Sequence, residues 1–197
     1  MAKVKKKSQK TIDSWKKKRW HKVVAPKLFN EQELGKTPAL DTGMLEGRTI
    51  ATSLMTLTRD MKQAGTTVTF EVHRVQGDTA FTRIKEVEIM PSSIKRLVRR
   101  HRDLVEDSFI ITTSDDIKVR IKPFLVTKNC TNNSIGTALR KALRIELARI
   151  ASKTPYESFV TDVLSRRLQN GLRSTLSKIY PLRNCDIRKL SLLPTKN

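Results

Sequence analysis

Apolar and polar positions alternate most cleanly over residues 117–122, where Ile117, Val119 and Ile121 are interleaved with Lys118, Arg120 and Lys122. A period of two puts the apolar set on one face of a strand and the cations on the other. The segment 66–76 has the same period, with Val68, Phe70 and Val72 set against Thr67, Thr69, Glu71 and His73. Gly77-Asp78 is a two-residue hairpin signal, so 79–90 is expected to return as the partner strand. Its apolar residues Phe81, Ile84, Val87 and Ile89 drop out of period two, which predicts a bulge. A second hairpin joins 108–113 to 117–122 through Ser114-Asp115-Asp116, and Pro123 marks a strand edge or end. Segments 48–58 and 183–193 read as further strands, the last lying beside an earlier one.

The period becomes helical in the last third. Ile135, Leu139, Leu143, Leu147 and Ile150 form one stripe of a helix capped by Ser134 and running to Ser152. Thr154-Pro155-Tyr156-Glu157 combines a capping box with Pro at the first helical position, starting a helix to about Leu168. Asn170-Gly171 is expected to break it before a shorter helix that ends near Tyr180-Pro181. An arginine-rich helix is expected over 92–103, with Ile94, Leu97, Val98 and His101 on one face. Residues 30–47 are rich in turn formers and read as irregular with short extended pieces. The pattern predicts an α+β body over 20–197 forming a single domain, with C-terminal helices and a final strand. Residues 1–19 read as a basic N-terminal tail, disordered when free.

Charge changes the picture most. The chain has 40 Lys+Arg against 19 Asp+Glu, a formal +21 on 197 residues. The first 20 residues carry +8 and the remainder +13, so the body is itself strongly basic. Such a chain calls for a polyanion, since each phosphate neutralised releases condensed counterions. Aromatics make up 5% of the chain, which leaves an aliphatic core. No apolar run approaches the roughly 20 residues needed to span a bilayer, and no secretory signal is expected. Cys130 and Cys185 have no metal-ligand spacing and read as reduced cytosolic thiols.

No catalytic constellation stands out, and no cofactor, metal or small-molecule substrate is expected. No phosphate-cradling glycine loop is present. His21, His73 and His101 lie in separate elements. Asp115-Asp116 is the adjacent acidic pair a metal-dependent nuclease would use, although its position between two alternating runs fits a hairpin turn better. Glu86 and Glu88 share a strand face and read as solvated. The candidate RNA-binding residues are cationic. In the tail they are Lys5, Lys6, Lys7, Lys10, Lys16, Lys17, Lys18 and Arg19. Trp20 and Lys22 follow, Trp20 being open to two roles, stacking on unpaired bases or anchoring the domain to its core. The others are Arg96, Arg99 and Arg100 on the basic helix, Lys118, Arg120 and Lys122 on the alternating strand, where they span about 13 Å, and Arg140, Lys141 and Arg144 beside the apolar stripe. Cations on several elements suit a folded RNA contacted from many sides better than a duplex-DNA reader with one recognition face, which with the nuclease is the alternative.

The segment from Trp20 through His21-Lys22-Val23-Val24-Ala25-Pro26 to Phe29 resembles the opening of the S-three-A-e family of small-subunit ribosomal proteins, also called e-S-one. Gly35-Lys36-Thr37, Gly47-Arg48 with Ser53-Leu54 and Leu57, Ile179-Tyr180-Pro181-Leu182 and Ile187-Arg188-Lys189 are similar to later blocks of that family, in the same order. The chain looks most like an archaeal member. The resemblance implies a β-barrel-like core flanked by helices and a structural, cytoplasmic ribosomal protein. It further implies binding to small-subunit rRNA on the platform, near the 3′ end of that rRNA and the mRNA exit region, among neighbouring platform proteins.

Overall fold

A computed structural model describes residues 18–193. Among the described residues, contacts define two compact units. One holds the chain up to Thr49 together with Glu71–Arg83; the other holds Ile50–Phe70 and the chain from Ile84 onward.

In the first unit β1 (Arg19–Val24) and β2 (Glu33–Ala39) pair antiparallel, and β1 runs parallel to the start of β5 (Thr79–Ile89) from Lys22↔Thr79 to Val24↔Phe81. Period two holds along β1: His21 and Val23 are buried while Trp20 and Lys22 face water. Ala25, Phe29, Ala39, Leu45, Val72 and Ala80 are the other buried apolar residues of this unit. Arg48 braces it, donating to Thr37 Oγ1 at 2.7 Å and to the carbonyls of Pro38 and Met44, both at 3.0 Å. Gly47 has φ 79°, a conformation open to a residue without Cβ, and its N–H donates to the Val72 carbonyl at 2.9 Å.

The second unit is built around β8 (Lys118–Thr127). Its one edge takes β9 (Leu182–Leu192); the other takes β6 (Leu104–Glu106) and β7 (Phe109–Thr112) end to end, all antiparallel. The far edge of β9 pairs with β5 over Glu86–Glu88. The helices α3 (Asn133–Ala151), α4 (Tyr156–Leu164) and α5 (Arg167–Leu176) form a layer in which α3 lies against β6, β7 and α5, and α5 lies against β9 and α4. Leu139, Leu143 and Leu147 on α3 and Leu168, Leu172 and Leu176 on α5 are buried at helical spacing. A shorter helix, α2 (Pro91–Leu97), packs Ile94 against Phe124 and Val126 of β8.

Several expectations are corrected. The strands form a mixed sheet that does not close: its path runs from β2 through β1, β5, β9 and β8 to β6. Among the described residues the pairings show no barrel closure. The basic helix stops at Leu97 rather than reaching Asp103. Continuing it would stack Lys95 on Arg99 and Arg96 on Arg100, like-charge pairs at i,i+4 that oppose helix. Residues 48–58 split into β3 (Thr49–Ser53) and a helical turn, α1 (Leu54–Thr58); β4 (Thr66–Gln76) follows, and residues 33–39 are a strand with Leu34 as the extra residue of a bulge against β1. Asn170-Gly171 does not break a helix, because buried Leu168 and Leu172 hold it on either side. The break comes at Arg166, which has φ 60°. Pro123 neither ends β8 nor sits at an edge. The register slips between Lys122↔Lys189 and Pro123↔Ile187, leaving Arg188 as the extra residue of a bulge that accommodates the missing N–H. The inward phase of β5 does skip, from Ile84 to Val87, where a bulge was expected.

Candidate nucleic-acid interface

The described cations sit where period and burial push them outward. On β1, Trp20 and Lys22 share the outer face, and Trp20 is 61% exposed. It does not anchor the core; buried His21 and Val23 do. Register sets Lys22 opposite Lys36, an exposed lysine that the sequence reading missed because it lay in a segment read as irregular. Like charges paired across strands are unfavourable unless an anion lies over them. Arg19 opens β1, so the strand begins inside the segment read as tail, and Lys18 is half-buried. Lys5, Lys6, Lys7, Lys10, Lys16 and Lys17 lie outside the described residues.

In the second unit Lys118 and Arg120 face water and Lys122 is half-buried, as the alternation requires. Arg96 is on the short helix, its Nε donating to the Ser92 carbonyl at 3.3 Å. Arg99 and Arg100 are exposed in the turn after it. Lys141 is exposed on α3. Arg140 is exposed too, with Nε donating to the Glu106 carbonyl at 3.3 Å. Arg144 is committed elsewhere: its guanidinium donates to both carboxylate oxygens of Asp107, at 2.5 and 2.7 Å, and lies 5.8 Å from the centre of the Phe109 ring. The bidentate hydrogen bond from Arg144 holds the Asp107 carboxyl below the usual carboxylate range. Arg144 is therefore a structural cation rather than a free one.

Many of the described acids, those singled out in the sequence among them, are engaged within the protein. Asp115, the foremost candidate metal ligand, accepts the N–H of Tyr156 at 2.9 Å and so caps α4 from the β7–β8 turn. This supplants the capping box: the Thr154 hydroxyl donates to the Ile150 carbonyl instead. Asp116 has φ 56° and completes the turn, its N–H donating to the Thr113 carbonyl. Glu86 and Glu88 both bond Lys189. The Glu86 hydrogen bond leads in raising the pKa of that lysine. Glu71 pairs with Arg83 at 3.0 Å, Glu146 with Arg149 at 2.6 Å and Glu106 with Arg188 at 3.4 Å. Among the described residues no group of His, Cys, Asp and Glu is placed to hold a metal ion. An open depression of about 480 Å³, lined by Glu106, Asp107, Ser108, Lys122, Pro123 and Arg188, has its carboxylates already paired with arginine. Both cysteines are free; Cys130 is exposed, and burial pushes the Cys185 thiol up to about 12. No helix among the described residues is long and apolar enough to cross a membrane.

Outward cations left unmatched on an α+β framework, with many of its acids engaged internally, are the surface of a protein built to bind a polyanion. The comparisons with known proteins agree. Residues 6–196 match the Ribosomal S3Ae family, and the chain belongs to that family, one of ribosomal proteins and not of enzymes. It is similar to the small ribosomal subunit protein eS1 of Saccharolobus islandicus, 35% identical over 181 residues, 92% of this chain and 87% of the relative. The protein of the same name from Saccharolobus solfataricus is 34% identical over the same shares. That from Halorubrum lacusprofundi is 35% identical over 175 residues, 89% of this chain and 81% of its own. The short blocks that carried the resemblance are largely structural here. Arg48 joins the Gly47-Arg48 block to Thr37, and the Tyr180 hydroxyl donates to the Cys130 carbonyl at 3.2 Å.

Proposed function

We propose that this chain is a structural constituent of the small ribosomal subunit, cytoplasmic, serving translation by holding small-subunit rRNA on the platform. Its place is near the 3′ end of that rRNA and the mRNA exit region, with mRNA close by and other platform proteins as neighbours. The body over 20–197 acts as one rRNA-binding domain, extended by the basic segment before it. Lysines and arginines neutralise phosphates where rRNA segments converge, and the sheet and helical layer fix their spacing. Trp20 offers a ring for an unpaired base beside Lys22. The observation that carries this reading is the set of outward cations left unmatched on β1, β8, α3 and the turn after Leu97, beside carboxylates such as Glu86, Glu88, Glu106, Asp107 and Asp115 that are already engaged within the protein. That pattern suits a scaffold.

Exposed Cys130 allows a direct test, because Cys185 is shielded. The chain carrying iron–EDTA on Cys130 is assembled into small subunits, and rRNA cleavage is mapped after hydroxyl-radical generation. The expected result is co-sedimentation with small subunits, release only at high salt, and cuts near the rRNA 3′ end. A chain that stays at the top of a low-salt gradient contradicts the ribosomal role, and cuts confined to a distant part of the rRNA contradict the placement.

A further inference from the structure

Arg102 lies just before β6, half-buried, with Nη1 cut off from solvent and without a hydrogen-bond partner. Leaving a desolvated guanidinium nitrogen without an acceptor is costly. Its neighbours add to the cost: burial, then the positive charges of Arg183 and Arg99, push its pKa down. The adjacent carboxylate does not relieve it. Asp103 Oδ2 accepts from the N–H of Thr131 at 2.6 Å and from its hydroxyl at 3.0 Å.

Strand register explains why the cations meet. Leu104 of β6 pairs with Val126 of β8, and Val126 with Asn184 of β9. Arg102 before β6, Lys128 after β8 and Arg183 at the start of β9 therefore emerge at the same end of adjacent strands. The Lys128 N–H donates to the Pro181 carbonyl at 3.1 Å, which fixes that end. Arg183 and Arg99 are exposed. Evolving such a cluster for stability alone makes no physical sense, whereas an oxyanion with several acceptor oxygens would meet the planar donor forks.

We propose that Arg99, Arg102 and Arg183 form a seat for one backbone phosphate of RNA. This rests on the reading of the chain as rRNA-binding and adds the residues that take one particular phosphate. Arg102 is the fixed element of the seat, held by its position between the short helix and β6. Arg99 and Arg183 close over the anion from the turn and from β9. Neither Arg102 nor Arg183 was singled out by sequence pattern, since the cluster exists only through strand register.

The test uses the full chain and the variant Arg99→Gln/Arg183→Gln, both sites being exposed, with Arg102→Gln as a second variant. Without RNA, thermal midpoints are read in chloride and with inorganic phosphate at matched ionic strength. The wild type should gain a phosphate-dependent rise. The double variant should melt higher than wild type in chloride, because like charges are removed, and should lose the phosphate rise. A variant that melts lower in chloride and keeps the full rise overturns the seat. An equal rise with a dicarboxylate probe overturns it in favour of an acidic protein partner. With a small-subunit rRNA transcript, the log–log salt slope should fall by about 0.7–0.9, one phosphate's worth, in the double variant. It should not change in Arg149→Gln, whose cation is already paired with Glu146. A steep wild-type slope that the double variant leaves unchanged refutes the seat alone. Absence of salt-dependent rRNA binding in the wild type refutes the parent reading, while the phosphate melts still decide the seat.

Discussion

At the scale of single residues, carboxylates in this protein do opposite things according to their surroundings. Asp107 is held in its charged form by Arg144. Its folded-state pKa is lowered, so its stabilising contribution is present above the ordinary carboxylate range and is lost as pH falls through the folded value. Asp186 on β9 is buried, and burial raises its pKa against the opposing pull of Arg166. Here the sign reverses. The folded state holds its proton more tightly, so stability declines as pH rises from the ordinary carboxylate range to the raised value. Asp186 Oδ1 lies 3.5 Å from Gln169 Nε2, and Gln169 Oε1 has no partner. Asp186→Asn supplies an amide donor in place of the charge. Satisfying a buried acceptor is worth about 1–3 kcal/mol, and 1 kcal/mol moves the midpoint about 2–4 °C in a chain of this size. The variant should melt at least about 2 °C higher at pH 7 by calorimetry, with a flatter pH profile above the carboxylate range. A lower midpoint would contradict this assignment.

At the scale of elements, Asp115 links two that are far apart in sequence. Losing a capping side chain costs about 0.5–2 kcal/mol, so Asp115→Ala should lower the urea midpoint by that equivalent, while Asp115→Asn should retain most of the stability. A catalytic Asp with no capping role would leave the urea midpoint unmoved. Long strands and buried helical stripes were legible in the sequence because their patterns are strong and local: the alternation of 117–122, the Gly77-Asp78 hairpin, the Leu139-Leu143-Leu147 stripe and the final strand all stand in the structure. What escaped was decided by tertiary contact or by charge. No glycine or proline announces the break at Arg166, and the like-charge run that stops the helix at Leu97 looked like helix surface. Pro123 runs through a strand because a bulge on the facing β9 absorbs it. The candidate interface was legible in kind but not in grouping. Outward cations follow from alternation, whereas the Lys22–Lys36 pairing, the withdrawal of Arg144 by Asp107 and the convergence on Arg102 depend on register.

At the scale of the whole molecule, net charge and its distribution carry the functional reading. The chain has a formal +21, and ion pairs account for Glu71, Glu86, Glu88, Glu106, Asp107 and Glu146. That +21 already sets every acid against a cation, so no ion pairing within the protein can neutralise it, and both units carry exposed cations. The most direct measurement is filter binding of the full chain to a small-subunit rRNA transcript across a salt series, with duplex DNA of equal length as competitor. Each phosphate contact adds about 0.7–0.9 to the log–log slope, so an interface drawing on several elements should give a slope steeper than about −4 and a marked preference for the rRNA. A slope equivalent to about one or two contacts, or equal affinity for duplex DNA at matched salt, would contradict the account.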